Sequence, residues 1–173
     1  MIANGQLDVS MQNTARNEAP LIVTPDRACI HDLGLGEARI LVDEKLSGGA
    51  FWLGIFRQDP GFLTPLHLHR NTDEYLFVIA GVLSVYLSDG WHDLEAGTLA
   101  IVPRTAQHAQ HNAGKQPAWV IGSGNPTGFE GFFAAQQELL SRIQRSDPQF
   151  FPGLAKILTE YDTEFLGPPP ARD

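Results

Sequence analysis

The stretch GFLTPLHLHRNTDEYLFVIAG, residues 61–81, places His67, His69 and Glu74 within eight consecutive positions. In a β-strand, residues two apart point to the same face. His67 and His69 can therefore present two imidazoles side by side, about one metal ion's width apart. Glu74 lies five residues beyond His69, and one straight strand would send it to the opposite face. Between them, Arg70-Asn71-Thr72-Asp73 is a polar run with turn chemistry that can break the strand and reset the face. Glu74 then opens the apolar run Tyr75–Ile79, the best strand candidate in the chain. Ala80-Gly81 ends it in a tight turn. This pattern is half of a metal site, and its remaining ligand must lie further on.

The whole chain sets the frame. Its 173 residues suit one domain with room for a core. The 17 Gly and 12 Pro favour many turns, as in an all-β fold. A net charge of −8 without a Lys/Arg cluster argues against a nucleic-acid partner. The single cysteine, Cys29, excludes an internal disulfide framework and suits a reducing compartment. Cys29 itself reads as a small buried residue. The N-terminal residues lack a basic and then apolar leader, and no run of 18 apolar residues exists to span a membrane. The expectation is a cytoplasmic protein with no membrane partner.

Residues 1–19 are polar and without period, and read as a loose arm. Strands are expected at Leu21–Val23, Ala38–Leu46 and Ala50–Arg57, the last covered on both faces. Asp59-Pro60-Gly61 is a turn that delivers the opening stretch. Tyr75–Ile79 and the alternating Leu83, Val85 and Leu87 are expected to form a hairpin. Asp89-Gly90 signals a second hairpin, returning through Trp91–Leu94. Thr98–Val102, a segment near Gln107–Asn112, and Ala118–Gly122 complete the strands. Residues 20–125 thus read as a β-barrel or sandwich. Residues 126–173 read as a helical extension, with helical spacing over Gly128–Arg145 and Phe150–Tyr161 and a stop at Pro168-Pro169-Pro170.

The other half of the site lies in GTLAIVPRTAQHAQHN, residues 97–112. His108 follows a short buried strand and a Pro-containing turn. With His67, His69 and Glu74 it would give three neutral nitrogens and one carboxylate. That set suits one divalent transition metal ion (Fe, Mn, Ni, Co, Cu or Zn) with positions left open for water or substrate.

These two stretches resemble the two cupin motifs. Gly61, His67, His69, Glu74 and Gly81 meet the first motif in full. Gly97, Pro103, His108 and Asn112 meet the second, with Thr105 standing where the pattern has Gly. The resemblance implies an all-β double-stranded β-helix, a jelly-roll barrel with C-terminal helices, and a metal held inside it by His67, His69, Glu74 and His108. Single-domain cupins often pair through exposed sheet edges, which makes a homodimer the expected assembly. The Gly-Phe-Glu-X-Phe-Phe helix and the Gly-Pro-Pro tail are similar to small cupins of the bacterial quercetin 2,3-dioxygenase kind. That likeness implies a metal-dependent dioxygenase using O2 on a small, flavonol-like substrate, with Glu74 as catalytic base. Two other readings stand beside it: a non-catalytic cupin that binds a small molecule or a metal, and a sugar isomerase or small-acid decarboxylase. The last would need Arg57 or Arg104 inside the barrel to hold an anion.

Other residues carry blander expectations. His111, three after His108, should face away from the metal. His31 and His92 read as solvated, and Arg70 as a surface cation. Phe51, Trp52, Phe56, Phe62, Phe77, Tyr86 and Trp119 read as packing residues that could also line a flat pocket. Phe129, Phe132 and Phe133 read as the core face of a helix that could close the barrel mouth as a lid.

Overall fold

Alternation of inward and outward side chains builds the barrel. The computed structural model describes residues 19–172, so the arm expected over residues 1–19 lies outside the described residues except for Ala19. The chain runs β1 (Cys29–Asp32), β2 (Gly36–Val42), a one-turn helix α1 (Glu44–Ser47), β3 (Trp52–Gln58), β4 (Leu66–His69) and β5 (Asp73–Ala80). Then come β6 (Val82–Leu87), β7 (Gly90–Glu95), β8 (Leu99–Val102), β9 (Ala109–His111) and β10 (Ala118–Asn125). Helices α2 (Gly131–Arg142) and α3 (Phe150–Leu158) precede a last strand, β11 (Thr163–Gly167). Three antiparallel sheets result, ordered β1-β2-β3-β10-β5-β8, β7-β6-β9 and β11-β4.

The inner faces share one apolar core. Trp52 and Phe56 from β3, Leu76 and Val78 from β5, and Leu83 and Val85 from β6 meet Phe132 and Phe133 from α2. Phe150, Leu154 and Leu158 of α3 join the same cluster. They are spaced i, i+4, i+8, so they form one stripe along the helix. Burying each contributes about 1.5–3 kcal/mol at most, which is what holds α3 on the barrel.

Five local expectations differ from the structure. Leu21–Val23 is not a strand, and Leu21 and Ile22 are exposed. Prolines at 20 and 25 bracket the segment and leave no room for a ladder. The strand expected over Ala38–Leu46 stops at Val42 because Asp43 caps α1, its Oδ1 accepting from Leu46 N at 3.0 Å. The hairpin expected between Tyr75–Ile79 and Leu83–Leu87 does not form. β5 pairs with β10 and β8, while β6 pairs with β7 and β9. Only Gly81 separates β5 from β6, one residue too few for a two-residue hairpin turn. It passes through φ +79, where a side chain would strike the Pro117 carbonyl, and the chain swings into the other sheet. Cys29, expected buried, is exposed on the edge strand β1. Finally, β11 follows the helices, so the C-terminal extension is not purely helical. Its segment TEFLG is too short to advertise a strand, and it pairs with β4, the strand that carries His67 and His69.

Candidate metal centre

β4 is held from both sides. His67 and His108 exchange backbone hydrogen bonds, His67 N to His108 O at 3.0 Å and His108 N to His67 O at 2.9 Å. That is the hydrogen-bonded antiparallel pair, which sets two side chains directly opposite each other. Their rings lie 4.1 Å apart, and the His69 ring lies 5.2 Å from His67 and 5.3 Å from His108. The same pairing runs on through Thr64 N to Gln110 O and Gly61 N to Asn112 O, zipping the two histidine segments together. Asn112 secures the far end: its side-chain amide donates to Gln58 O and Gln116 O, and its Oδ1 accepts from Gly114 N.

Each ring is oriented by its Nδ1. That atom lies 2.9 Å from Pro65 O in His67, 3.0 Å from Thr163 Oγ1 in His69 and 3.0 Å from Ala106 O in His108. The Nε2 atoms are thereby left to converge, and one ring nitrogen from each histidine lies within 4.8 Å of the others. All three histidines are buried.

Glu74 reaches the same centre from β5. The turn at Arg70 and Asn71 resets the face, so Glu74 points inward with Leu76 and Val78. Its Oε2 lies 3.1 Å from His108 Nε2, yet the two are not aligned as a hydrogen bond, and both atoms are buried without such a partner. Two buried polar atoms facing each other out of hydrogen-bond alignment are only partly satisfied, and a further group between them would complete their bonding. A divalent cation among three imidazoles and a carboxylate meets that need, and the donor set suits a transition metal.

The electrostatics agree. Burial pushes His67 well below the usual histidine range, with His108 and His69 adding to it, and burial also lowers His69. Neutral imidazoles are the ligating form. His108 is penalised by burial, but Glu74 outweighs this and raises it. Burial likewise opposes the Glu74 carboxylate, while His108, His69 and His67 together hold it down at about 2. The metal-free centre therefore favours an imidazolium–carboxylate pair.

The loop between His69 and Glu74 is fastened by a residue 90 positions away from Thr72. The Asp162 carboxylate accepts from Asn71 N at 2.9 Å, from Asn71 Nδ2 at 2.6 Å and from Thr72 Oγ1 at 2.9 Å. Its carbonyl accepts from Arg70 N at 3.0 Å, and Arg70 pairs with Glu164 at 2.9 Å. On the other side, Thr105 N donates to His69 O at 2.7 Å. Thr105 does so at φ +68, the left-handed conformation for which the cupin motif has Gly. No pattern in the sequence links Asp162 or Thr163 to the histidines; the pairing of β11 with β4 does.

A cavity of about 80 Å³ opens on the His67 and Glu74 side of the centre. Phe56, Phe62, Leu76, Phe129, Phe132 and Phe133 line it, so the α2 aromatics wall the pocket as well as packing the core. Its polar lining is Gln58, Thr64, Gln110, Gln136 and Arg145, none of which stood out in the sequence. Arg57 and Arg104 do not line it. Arg57 pairs with Asp59 at 3.2 Å and Arg104 with Asp73 at 2.8 Å. Phe51 and Phe77 are exposed, away from any pocket role. His111 stands apart from the three histidines, against Trp91 at 5.9 Å. His92, paired with Asp89, and His31 are both half-buried rather than solvated as expected.

Comparison with known proteins bears on this geometry. Residues 54–121 match the cupin domain family. Germin-like protein 9-3 of Oryza sativa subsp. japonica is 32% identical over 81 residues, 44% of this chain and 38% of that protein. The chain thus spans well under half the length of this curated relative. Among solved structures, an RmlC-like cupin from Shewanella frigidimarina superposes with a TM-score of 0.55 at 16% identity, over 65% of this chain and 96% of the other. The polyketide cyclase RemF from Streptomyces resistomycificus does so with a TM-score of 0.54 at 19% identity, over 62% and 80%. With its antiparallel barrel, its match over residues 54–121 and its superposition on a known cupin, the chain has the cupin fold.

Proposed function

We propose that this cupin is a metal-dependent dioxygenase acting on a small hydroxyl-bearing substrate, with His67, His69, His108 and Glu74 around one divalent metal and Glu74 as base. One observation carries the reading. Glu74 lines the cavity and keeps a buried oxygen without a hydrogen-bond partner. A carboxylate so placed can take a proton from a substrate hydroxyl arriving beside the metal. When bound, the metal would supply a Lewis acid for the substrate's oxygen and tune its reaction with O2. His67, His69 and His108 hold the ion in their neutral form, with Pro65, Thr163 and Ala106 fixing their rings. Phe129, Phe132 and Phe133 give the cavity an apolar wall that would shield the reacting groups from water.

The resemblance of the C-terminal sequence to quercetin 2,3-dioxygenase-like cupins motivates the oxygen chemistry, but cavity size bears on the substrate. The cavity of about 80 Å³ is roughly half of one that accepts a single benzene ring, about 150 Å³. A three-ring flavonol enters only if α2 and α3 move off the barrel mouth. The isomerase or decarboxylase reading is disfavoured in its expected form, since Arg57 and Arg104 are engaged outside the cavity.

The test loads the protein with Mn, Fe, Co, Ni or Cu and follows O2 uptake with one-ring phenols, short hydroxy acids and a flavonol. Turnover with at least one metal is expected, and Glu74→Gln should abolish it while weakening metal binding only in part. Metal binding without O2 uptake for any substrate would leave the non-catalytic reading. Persistent turnover in Glu74→Gln would remove the base assignment.

We also propose a homodimer through the outer face of β5 and β8. Phe77, Ile79, Leu99 and Ile101 are exposed there, and β8 is a sheet edge. Light scattering should show a dimer that Ile101→Glu converts to monomer. A monomeric wild type would refute it.

A further inference from the structure

The cavity has a polar end that the metal centre does not use. Gln58 is 2% exposed, and its Oε1 has no hydrogen-bond partner, although its Nε2 donates to Gln110 Oε1 at 2.8 Å. Gln110 lies two residues after His108 and faces the same way, so its side chain starts about 7 Å along the strand from the histidine. Arg145 closes the same end. Its Nη2 donates to Leu63 O at 2.6 Å, and its guanidinium lies over the Phe150 ring at 5.6 Å. Leu63 precedes Thr64, whose hydroxyl accepts from Gln110 N at 2.9 Å, and Gln58, Gln110 and Arg145 all line the one cavity. Among the described residues, Arg145 has no carboxylate partner, unlike Arg39, Arg57, Arg70, Arg104, Arg142 and Arg172. Burial disfavours its charge, and among the described residues no carboxylate pairs with it to offset that cost.

A half-buried guanidinium without a carboxylate partner, lining the same small cavity as a buried amide, has a simple chemical complement. We propose that Gln58, Gln110 and Arg145 form a carboxylate subsite, and that the ligand is a short-chain hydroxy acid spanning from this subsite to the metal centre. Arg145 has donors free beyond its bond to Leu63 O, and a carboxylate accepts them with strong, charge-assisted geometry. The amide pair completes the site by turning over together. Gln110 Nε2 then donates to Gln58 Oε1, which satisfies that oxygen, and Gln58 Nε2 is free to donate to the ligand. The hydroxyl end lies at Glu74, and this end alone rests on the metal-centre reading. The carboxylate lies away from Glu74, which avoids like-charge repulsion.

Isosteric probes test the subsite. Calorimetry on the metal-loaded protein compares glycolate, acetate and ethylene glycol, which are small enough for a cavity of about 80 Å³. The carboxylates should bind at least about tenfold more tightly than the diol, the scale of hydrogen bonds to a charged group. Arg145→Met and Gln58→Met should erase that preference while metal affinity stays as in wild type, and Arg145→Lys should restore part of it. No preference in the wild type, or a preference that survives Arg145→Met, overturns the proposal. If Gln58→Met does not fold, Arg145→Met at the cavity rim decides alone. Metal retention, measured separately by elemental analysis, distinguishes the two readings. A protein that binds no metal yet prefers carboxylates sinks the metal centre and keeps the subsite.

Discussion

Replacing Asp162 by Ala should loosen the metal centre although Asp162 touches no histidine. Its carboxylate carries three hydrogen bonds from the loop that separates His69 from Glu74. Bonds to a charged group are worth about 1.5–3 kcal/mol each when sheltered. Two of these lie at an exposed edge, so solvent discounts them and a total of about 2–3 kcal/mol is reasonable. Asp162 also sits at φ +56, which Asp tolerates better than Ala, adding about 1 kcal/mol to the cost of the change. Freed from Asp162, Arg70–Thr72 no longer fixes Glu74 relative to His69. Loss of such an outer support typically costs 10–100-fold in metal affinity, and that range is expected here. The assay is competition with a coloured chelator for Ni or Co, run beside urea unfolding of the metal-free protein. Asp162→Asn, which keeps one carbonyl oxygen and the left-handed conformation, should fall between the two. If Asp162→Ala loses stability but holds metal within twofold of wild type, the loop is positioned by the ligands themselves and the reasoning fails.

Three further outcomes are expected. Thr105→Gly should stabilise the protein by about 0.5–1 kcal/mol, because relief of a left-handed β-branched residue, about 1–2 kcal/mol, exceeds the added freedom of unfolded Gly. A loss of stability in urea unfolding would mean that the Thr105 side chain itself supports the turn. Gly124→Ala should cost about 1–3 kcal/mol or more by overpacking. The added Cβ would fall 2.2 Å from Nε1 of the fully buried Trp52, and wild-type stability would refute that crowding. Metal loading should release a proton at and below neutral pH, because Glu74 raises His108 in the metal-free state and a ligating His108 must be neutral. The sign is that affinity falls as pH drops through the raised His108 value. Calorimetry in buffers of different ionisation enthalpy reads this directly, and buffer-independent heats would refute the imidazolium–carboxylate pair.

The local parts of the centre were legible in the sequence. His67 and His69 share a face because a strand has period two, and the polar run Arg70–Asp73 does break the strand so that Glu74 turns inward. The Asp59-Pro60-Gly61 turn forms as its residues dictate, with Phe62 N bonded to Asp59 O and Gly61 at φ +84. Motif spacing found His108, 34 positions beyond Glu74. Thr105 shows how strongly the fold fixes that segment: the left-handed turn persists without the glycine that would make it easy.

What the sequence by itself determined was the set of ligand-type residues, the cupin barrel and the presence of two C-terminal helices. These rest on short-range rules: strand alternation, turn chemistry, helical spacing and fixed motif intervals. Tertiary structure alone decided which strands pair, which arginine meets the cavity, and what holds the histidines in place. Gly81 sends β6 into the other sheet instead of a hairpin, Arg145 rather than Arg57 or Arg104 lines the cavity, and Asp162 and Thr163 return to brace the loop and ring of His69. Each depends on contacts between segments far apart in the chain, where a two-residue turn or a five-residue strand gains its stability only from the partner it finds. Residues 61–81 therefore point to the candidate metal centre, but β11 braces it.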